Sequence, residues 1–422
     1  MEFLNSSLAT SVQKVVEVVS ERVFWASVDM KLFESEIKSS KGFSIVQPSR
    51  KPRFEYRVND GNLPSSPRKT RTKRLCRRDA PVTFPSTKED VIIIKSDDVL
   101  DYNPLAFDFG PLDLPTTCRY LDFVDEVRRP NSVIIHISDS NRPDLCANSA
   151  YLVATYSHIR FNVSPQEIRE RFETVPQNLL PSFRDASRFL SCDFHLDIGH
   201  FCEAIDASLR HQWIDWNNIR VDRIEKFQQV QHGDINWIIE SKFLAFAGPS
   251  ASRLDEDGFE VLTPAYYAKL FKKIGVTNVV RLNVANYDPS EFEIHGITHH
   301  DMFFEDGSCP PPDIIKSFLS LVKNAKGAIA VHCKAGLGRT ATLIGLAVML
   351  EYRVPAHVYI AWARIARPGS VIGPQQHFLV AMESQLHGRR KFTSSIPKSA
   401  SDIGQGEYLV RQKRRLNALN SS

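Results

Sequence analysis

Apolar positions along this chain fall into two textures. Short runs rich in β-branched and aromatic residues read as strands, and longer runs without turn residues read as helices. Val12, Val15, Val16, Val18 and Val19, followed by Val23, Phe24, Trp25 and Val28, predict strands over 12–28. Val91-Ile92-Ile93-Ile94 and Ser132-Val133-Ile134-Ile135-His136 predict two more, the second followed by a helix over 149–159. Further along, Trp237-Ile238-Ile239, Phe243-Leu244-Ala245-Phe246, Asn278-Val279-Val280-Arg281-Leu282 and residues 328–332 predict strands. Helices are predicted over 311–322, with Pro near its start, over 340–352, and over 355–364, stopped before Pro368-Gly369. Strands alternating with helices predict an α/β architecture.

The polar stretches divide this pattern into units. The 422 residues are enough for two or three domains with their own cores. We expect a first domain over 10–205, a connector with partial helical pattern over 206–236, a second domain over 237–386 and a basic flexible tail over 387–422. Residues 38–88, rich in Ser, Pro, Lys and Arg, predict a disordered insertion in the first domain. An internal echo relates the two domains. Ser132 to His136 resembles Ile329-Ala330-Val331-His332, and each run leads through a polar loop into an apolar helix. Ile137 stands where Cys333 stands in the second copy, and Arg142 is one place short of the position of Arg339.

Charge sharpens the picture. Seven basic residues lie between Arg68 and Arg78, and seven more in the clusters 389–391 and 411–415. Without these fourteen, the net charge of +4 becomes −10 for the rest of the chain. An acidic body favours basic partners and disfavours nucleic acid. No apolar run has bilayer-spanning length, and Glu2, Lys14, Glu17 and Glu21 do not make a signal peptide, so no membrane association is expected. Seven scattered cysteines predict free thiols and no structural zinc.

The candidate chemistry lies in Val331-His332-Cys333-Lys334-Ala335-Gly336-Leu337-Gly338-Arg339-Thr340. A strand, a glycine-bearing turn and a helix start supply converging backbone N–H groups for a phosphate dianion, through Lys334, Ala335, Gly336, Leu337 and Gly338. Arg339 offers a planar fork to two phosphoryl oxygens. Cys333 in that field attacks phosphorus as a thiolate. Thr340 would donate its hydroxyl to the sulfur when it leaves, and His332 would orient the loop rather than serve as base. A leaving alkoxide needs a proton, for which Asp306 in Phe303-Phe304-Glu305-Asp306-Gly307-Ser308, 27 residues before Cys333, is the candidate, with Asp301 and Glu305 as rivals. No metal or cofactor is called for.

These residues resemble the cysteine-dependent protein phosphatases and, more narrowly, the cell-division-cycle-fourteen (mitotic-exit) dual-specificity phosphatase family. The resemblance is carried by the loop, by Phe303-Phe304 with Asp306-Gly307-Ser308, and by Arg367-Pro368-Gly369-Ser370-Val371-Ile372-Gly373-Pro374-Gln375-Gln376. Phe107-Asp108-Phe109-Gly110-Pro111-Leu112 and Gly233-Asp234-Ile235-Asn236-Trp237 match as well. It implies two tandem dual-specificity-phosphatase-like domains, the first lacking the catalytic cysteine, joined by a helical linker. It also implies Asp306 as general acid and phosphoproteins with Ser-Pro sites, along with phosphotyrosine, as substrates. Cell-cycle control follows from the same resemblance, and a nuclear and cytoplasmic location is expected. Gln375 and Gln376 either position water or cap the next helix.

Two departures stand out. The family's linker is markedly acidic, whereas here only Asp222 and Glu225 are acidic in 222–231, opposed by Arg223 and Lys226. A requirement for a basic residue after the phosphoserine is therefore open; Asp255-Glu256-Asp257 either compensates or forms a solvated turn. The basic run from Arg68 to Arg78 reads as a signal for a nuclear import receptor or as an anchor for acidic partners. A phosphoinositide phosphatase would carry a further lysine where Leu337 stands, and a non-catalytic phosphopeptide scaffold would have no use for the complete set of nucleophile, arginine and acid.

Overall fold

The computed structural model describes residues 11–38, 43–47, 91–97, 102–188, 192–254, 260–388 and 404–421. Two five-stranded sheets carry the chain. The first comprises β1 (Val12–Val19), β2 (Val23–Val28), β3 (Phe43–Val46), β4 (Val91–Lys95) and β5 (Val133–Asp139), in the order β1-β2-β5-β4-β3. The second comprises β6 (Ile235–Ile239), β7 (Phe243–Phe246), β8 (Val276–Arg281), β9 (Thr298–Asp301) and β10 (Ala328–His332), in the order β6-β7-β10-β8-β9. Each opens with an antiparallel pair and continues parallel. β2 and β10 are buried at every position, the mark of central strands with both faces covered.

Helices cover these faces. In the first unit they are α1 (Met30–Lys38), α2 (Leu114–Val127), α3 (Pro143–Phe161), α4 (Pro165–Glu173) and α5 (Ile198–Arg210). A short α6 (Val221–Phe227) lies between the units. The second unit has α7 (Pro264–Lys273), α8 (Ser290–Glu293), α9 (Pro312–Asn324), α10 (Gly338–Tyr352), α11 (Ala356–Ala366) and α12 (Pro374–Leu386), and α13 (Gln405–Ser421) follows. The order β1-β2-β5 recurs as β6-β7-β10, but the two strands beyond enter the sheets in opposite chain order, β4-β3 against β8-β9, so the echo in sequence is incomplete in topology.

Several boundaries differ from those expected. Residues 206–210 complete α5, because Ala207 and Ser208 are buried on its inner face, and β6 already begins at Ile235. Phe43–Val46, inside the expected insertion, is the edge strand β3 paired with β4, since its four residues find open backbone groups there. The remainder of the insertion from 48 on, with the basic run 68–78, lies outside the described residues, as does Asp255-Glu256-Asp257. The expected flexible tail contains α13. Tyr408, Leu409, Val410 and Leu416 share a hydrophobic cluster with Leu105, Ala186, Ala335, Leu337 and Ile372, a packing that a reading by charge alone missed.

The two units share one hydrophobic core. Trp362 of α11 meets Trp213 at 5.6 Å and Trp216 at 6.5 Å between ring centroids, and donates its indole N–H to the Ile238 carbonyl (2.7 Å). The Asp185 carboxylate accepts the Gly373 N–H (2.5 Å) across the units. In the linker, Arg119 reaches Glu225 at 2.9 and 2.6 Å and Asp222 at 3.2 Å, so both linker acids already face a cation.

Candidate active site

β10 ends at His332 between β7 and β8, at the C-terminal edge of the parallel strands, the edge where open α/β sheets present ligand sites. Residues 333–337 turn from this edge into α10. Gly336 makes the turn at φ +67°, and a Cβ there would stand 2.0 Å from the Phe246 carbonyl oxygen. Four consecutive carbonyls are bound from behind. His332 Nδ1 lies 3.0 Å from the Cys333 oxygen, and Gly248 N–H donates to Lys334 O at 3.0 Å. Arg367 donates to Ala335 O at 3.1 Å and to Gly336 O at 2.7 Å. A trans peptide holds C=O and the next N–H antiparallel. The N–H groups of Lys334, Ala335, Gly336 and Leu337 therefore face the opposite way, which makes an anion-binding concavity at the start of α10.

Arg367 is itself fixed. Buried to 1% exposure, it donates from Nη1 to Asp234 O (2.9 Å) and Asn236 Oδ1 (2.7 Å) and pairs with the Asp234 carboxylate at 2.9 Å. Burial would raise the Asp234 carboxyl, but the Arg367 and Lys413 cations beside it together hold it below its ordinary range.

The cavity of about 320 Å³ in front of the loop is lined by Cys333, Arg339, Asp306, Gln375 and residues of the first unit, including Asp185 and Cys192. Arg339 enters it from the first turn of α10. Its Nη1 donates to Phe304 O (2.9 Å) and Leu282 O (3.3 Å), and its Nη2 lies 3.0 Å from Asp306 Oδ1. Its buried Nε has no hydrogen-bond partner among the described residues. Of the three candidate acids, Asp306 alone lines the cavity. Asp301 is gripped by Arg281 at 2.6 and 2.9 Å, and Glu305 is exposed.

His332 is fully buried, and burial lowers its pKa to about 3, so it is neutral. The Cys333 carbonyl accepts only, which places the His332 proton on Nδ1. Its Nε2 then accepts from the Tyr287 hydroxyl (2.6 Å), and that oxygen accepts from His299 Nε2 (2.9 Å). A neutral chain thus runs from His299 to the first peptide of the loop, consistent with an orienting His332.

Other expectations fared differently. The Thr340 hydroxyl is buried and makes no hydrogen bond among the described residues, to the Cys333 sulfur or to any other group. Gln375 accepts Ile372 N–H (3.3 Å), donates to Ser308 O (3.0 Å) and packs on Gly338, tying the acid loop to the phosphate loop. Gln376, which also lines the cavity, accepts from Arg364 and donates to Gly373 O. Lys334 pairs with Glu407 of α13. Leu337 is fully buried. Arg367, Tyr287 and Asp234 were missed as site residues; the first and last lie in the strings that carried the resemblance, while Tyr287 gives no local signal.

The first unit shows the corresponding edge without this chemistry. His136 is buried and neutral, its pKa lowered by burial to about 3, and bonds Ser96 (2.7 Å) and Tyr120 (3.0 Å). Ile137 follows, still within β5. The Asp97 carboxylate accepts from Ser138 and from Asp139 N–H there, and Arg142 is held by Asp144.

Fold and site define a class. Residues 73–208 match the family model described as dual specificity protein phosphatase, N-terminal half, and residues 265–385 match that of the dual specificity phosphatase catalytic domain. The dual specificity protein phosphatase CDC14C of Homo sapiens is 38% identical over 306 residues, covering 72% of this chain and 68% of that protein. CDC14B of Mus musculus is 41% identical over 295 residues, covering 69% and 60%. CDC14C of Symphalangus syndactylus is 38% identical over 306 residues, covering 72% and 63%. The chain thus spans about three-fifths of the length of the latter two relatives. It belongs to the CDC14 family of dual-specificity protein phosphatases.

Proposed function

We propose that this chain is a cysteine-dependent protein phosphatase acting on phosphoserine, phosphothreonine and phosphotyrosine, with preference for Ser-Pro sites and a role in cell-cycle control. The observation that carries the reading is the convergence of Cys333, Arg339 and Asp306 on one cavity, in front of four parallel amides. The Cys333 thiolate attacks phosphorus and forms an S–P bond, while Asp306 protonates the departing oxygen as the O–P bond breaks. Water then attacks the phosphocysteine, Asp306 takes its proton, and the thiolate leaves. Arg339 and the loop amides follow the charge on the equatorial oxygens through both steps.

Leu337 is buried in an apolar cluster and offers no cation to a polyanionic inositol headgroup, which favours a peptide substrate. Because Arg119 engages Asp222 and Glu225, the linker is a weak reader of a basic residue after the phosphosite. The run from Arg68 to Arg78 would address a nuclear import receptor, with the protein divided between nucleus and cytoplasm.

Hydrolysis of phosphoserine-proline peptides by the wild type and by Cys333→Ser tests the reading. Turnover by the wild type alone is expected, and equal rates from both would sink it.

A further inference from the structure

The stretch 370–373 between α11 and α12 holds an unfavourable backbone. Val371 is fully buried at φ +59°, a left-handed conformation that a β-branched residue avoids. Gly373 follows at φ +55°. Such strain persists where the surroundings over-determine it, and here two groups do so. From α11, the buried Arg364 donates Nε to Ser370 O at 3.2 Å and Nη2 to Val371 O at 3.1 Å. From the first unit, Asp185 Oδ2 accepts the Gly373 N–H at 2.5 Å. Asp185 lines the cavity but is only 2% exposed. Its other oxygen accepts from the Ser187 hydroxyl at 3.0 Å and faces the Cys192 thiol at 3.8 Å. Both oxygens are taken, so its influence on the chemistry passes through Gly373.

This stretch leads to the acid. Gln375, two residues after Gly373, accepts the Ile372 N–H and donates to Ser308 O. Ser308 closes the turn that carries Asp306, with its N–H and its hydroxyl both donating to Glu305 O, at 3.2 and 2.7 Å. A Cβ on Gly338, the residue before Arg339, would stand 2.8 Å from Gln375 Oε1. One carboxamide thus spans the loops of both catalytic poles, and a residue of the first unit fixes the backbone that bears it.

We propose that Asp185 is a positioning residue for the catalytic acid: through Gly373 and Gln375, the first unit holds the Asp306 loop in register with the phosphate loop. The inference rests on the phosphatase reading above. Without the Asp185 carboxylate the Gly373 N–H loses its acceptor, and the strained backbone at 371–373 relaxes. The Gln375 side chain moves with it, because its bonds end on Ile372 N–H and Ser308 O. Asp306 then meets the leaving oxygen from a displaced position. Cys333 stays in place, since Arg367, Gly248 and His332 fix its loop from elsewhere. A loss at the acid without a loss at the nucleophile separates positioning from plain destabilisation.

The test compares the full chain with Asp185→Ala, Asp185→Asn, Gln375→Leu and the double variant Asp185→Ala with Gln375→Leu. Each is assayed on a phosphoserine-proline peptide and on p-nitrophenyl phosphate, with thermal unfolding as a check on folding. For Asp185→Ala, kcat on the peptide is expected to fall by about 10- to 100-fold, as small misplacements of a catalytic group do. A smaller fall on the aryl ester and unchanged alkylation of Cys333 by iodoacetate are expected alongside. Asp185→Asn keeps an oxygen for the Gly373 N–H and should restore most of the rate. The double variant should lose no more than the worse single variant, because both substitutions cut one path. Should Asp185→Ala not fold, Asp185→Glu, which displaces the carboxylate by one methylene, carries the same comparison. In parallel, amide hydrogen exchange at residues 305–309 should be faster in the Asp185 variant than in the wild type. An unchanged peptide kcat, equal losses on both substrates, or single losses that multiply in the double variant would each overturn the proposal. Absence of turnover in the wild type would overturn the phosphatase reading instead, and exchange at 305–309 would still decide whether Asp185 holds the acid loop.

Discussion

Tyr287 shows how a single hydroxyl can hold a catalytic loop. It donates to the unprotonated nitrogen of His332, whose other nitrogen fixes the Cys333 carbonyl. Tyr287→Phe leaves that buried nitrogen unpaired at a cost of about 1–3 kcal/mol. We expect a matching loss of unfolding free energy in urea, and a slower alkylation of Cys333 by iodoacetate. Normal alkylation alongside the stability loss would make Tyr287 a purely structural residue. Asp306 is the second decisive residue. Asp306→Ala should lower kcat on phosphoserine peptides by about 10²- to 10⁴-fold. The loss on p-nitrophenyl phosphate should be smaller, because that phenolate leaves without a proton. Equal effects on both substrates would return the role to Asp301 or Glu305.

The element that matters is the turn from β10 into α10. Its shape comes from constraints behind it rather than from its own hydrogen bonds, since Arg367 and Gly248 take its carbonyls and Phe246 crowds Gly336. Gly336→Ala places a methyl against a backbone oxygen at a φ that L-residues avoid. The loop must shift by an ångström or so, and kcat/KM should fall by about 10²-fold, as misplacement of that size does elsewhere. Steady-state kinetics measures this, and near-normal kcat/KM would mean that the loop has slack that the packing does not show.

At the scale of the molecule, two sheets share a core, and each carries a buried neutral histidine in its central strand, His136 within β5 and His332 at the end of β10. His136 and His332 have pKa values of about 3 in the folded protein, against about 6.5 in an unfolded chain. Between these values the unfolded state binds protons that the native state refuses. Their contribution to stability is therefore complete above pH 6.5 and is lost progressively as the pH falls toward 3. The raised carboxyls of Asp97 and Asp108 work in the opposite direction and offset part of this loss. Urea unfolding should show stability lower by about 1–3 kcal/mol at pH 5 than at pH 7; equal stability at both values would contradict two refused protons.

What a sequence can dictate alone is what its neighbouring residues dictate together. The apolar runs around β2, β5 and β10, the glycines of the phosphate loop and the adjacent Cys333 and Arg339 act within one strand–turn–helix, so their chemistry was readable in order. Asp306 was readable as a turn acid but not separable from Asp301 and Glu305, because the choice depends on which carboxylate an arginine on another element captures. Arg367 lies 31 residues beyond the Gly336 carbonyl that it binds, and Tyr287 lies 45 residues before His332. No periodicity couples such positions. The tail was least readable of all, since its basic charge resembled that of a solvated segment. Only packing decided that Leu409 is buried, because an apolar stripe declares its partner when the surface that covers it has been assembled from both units.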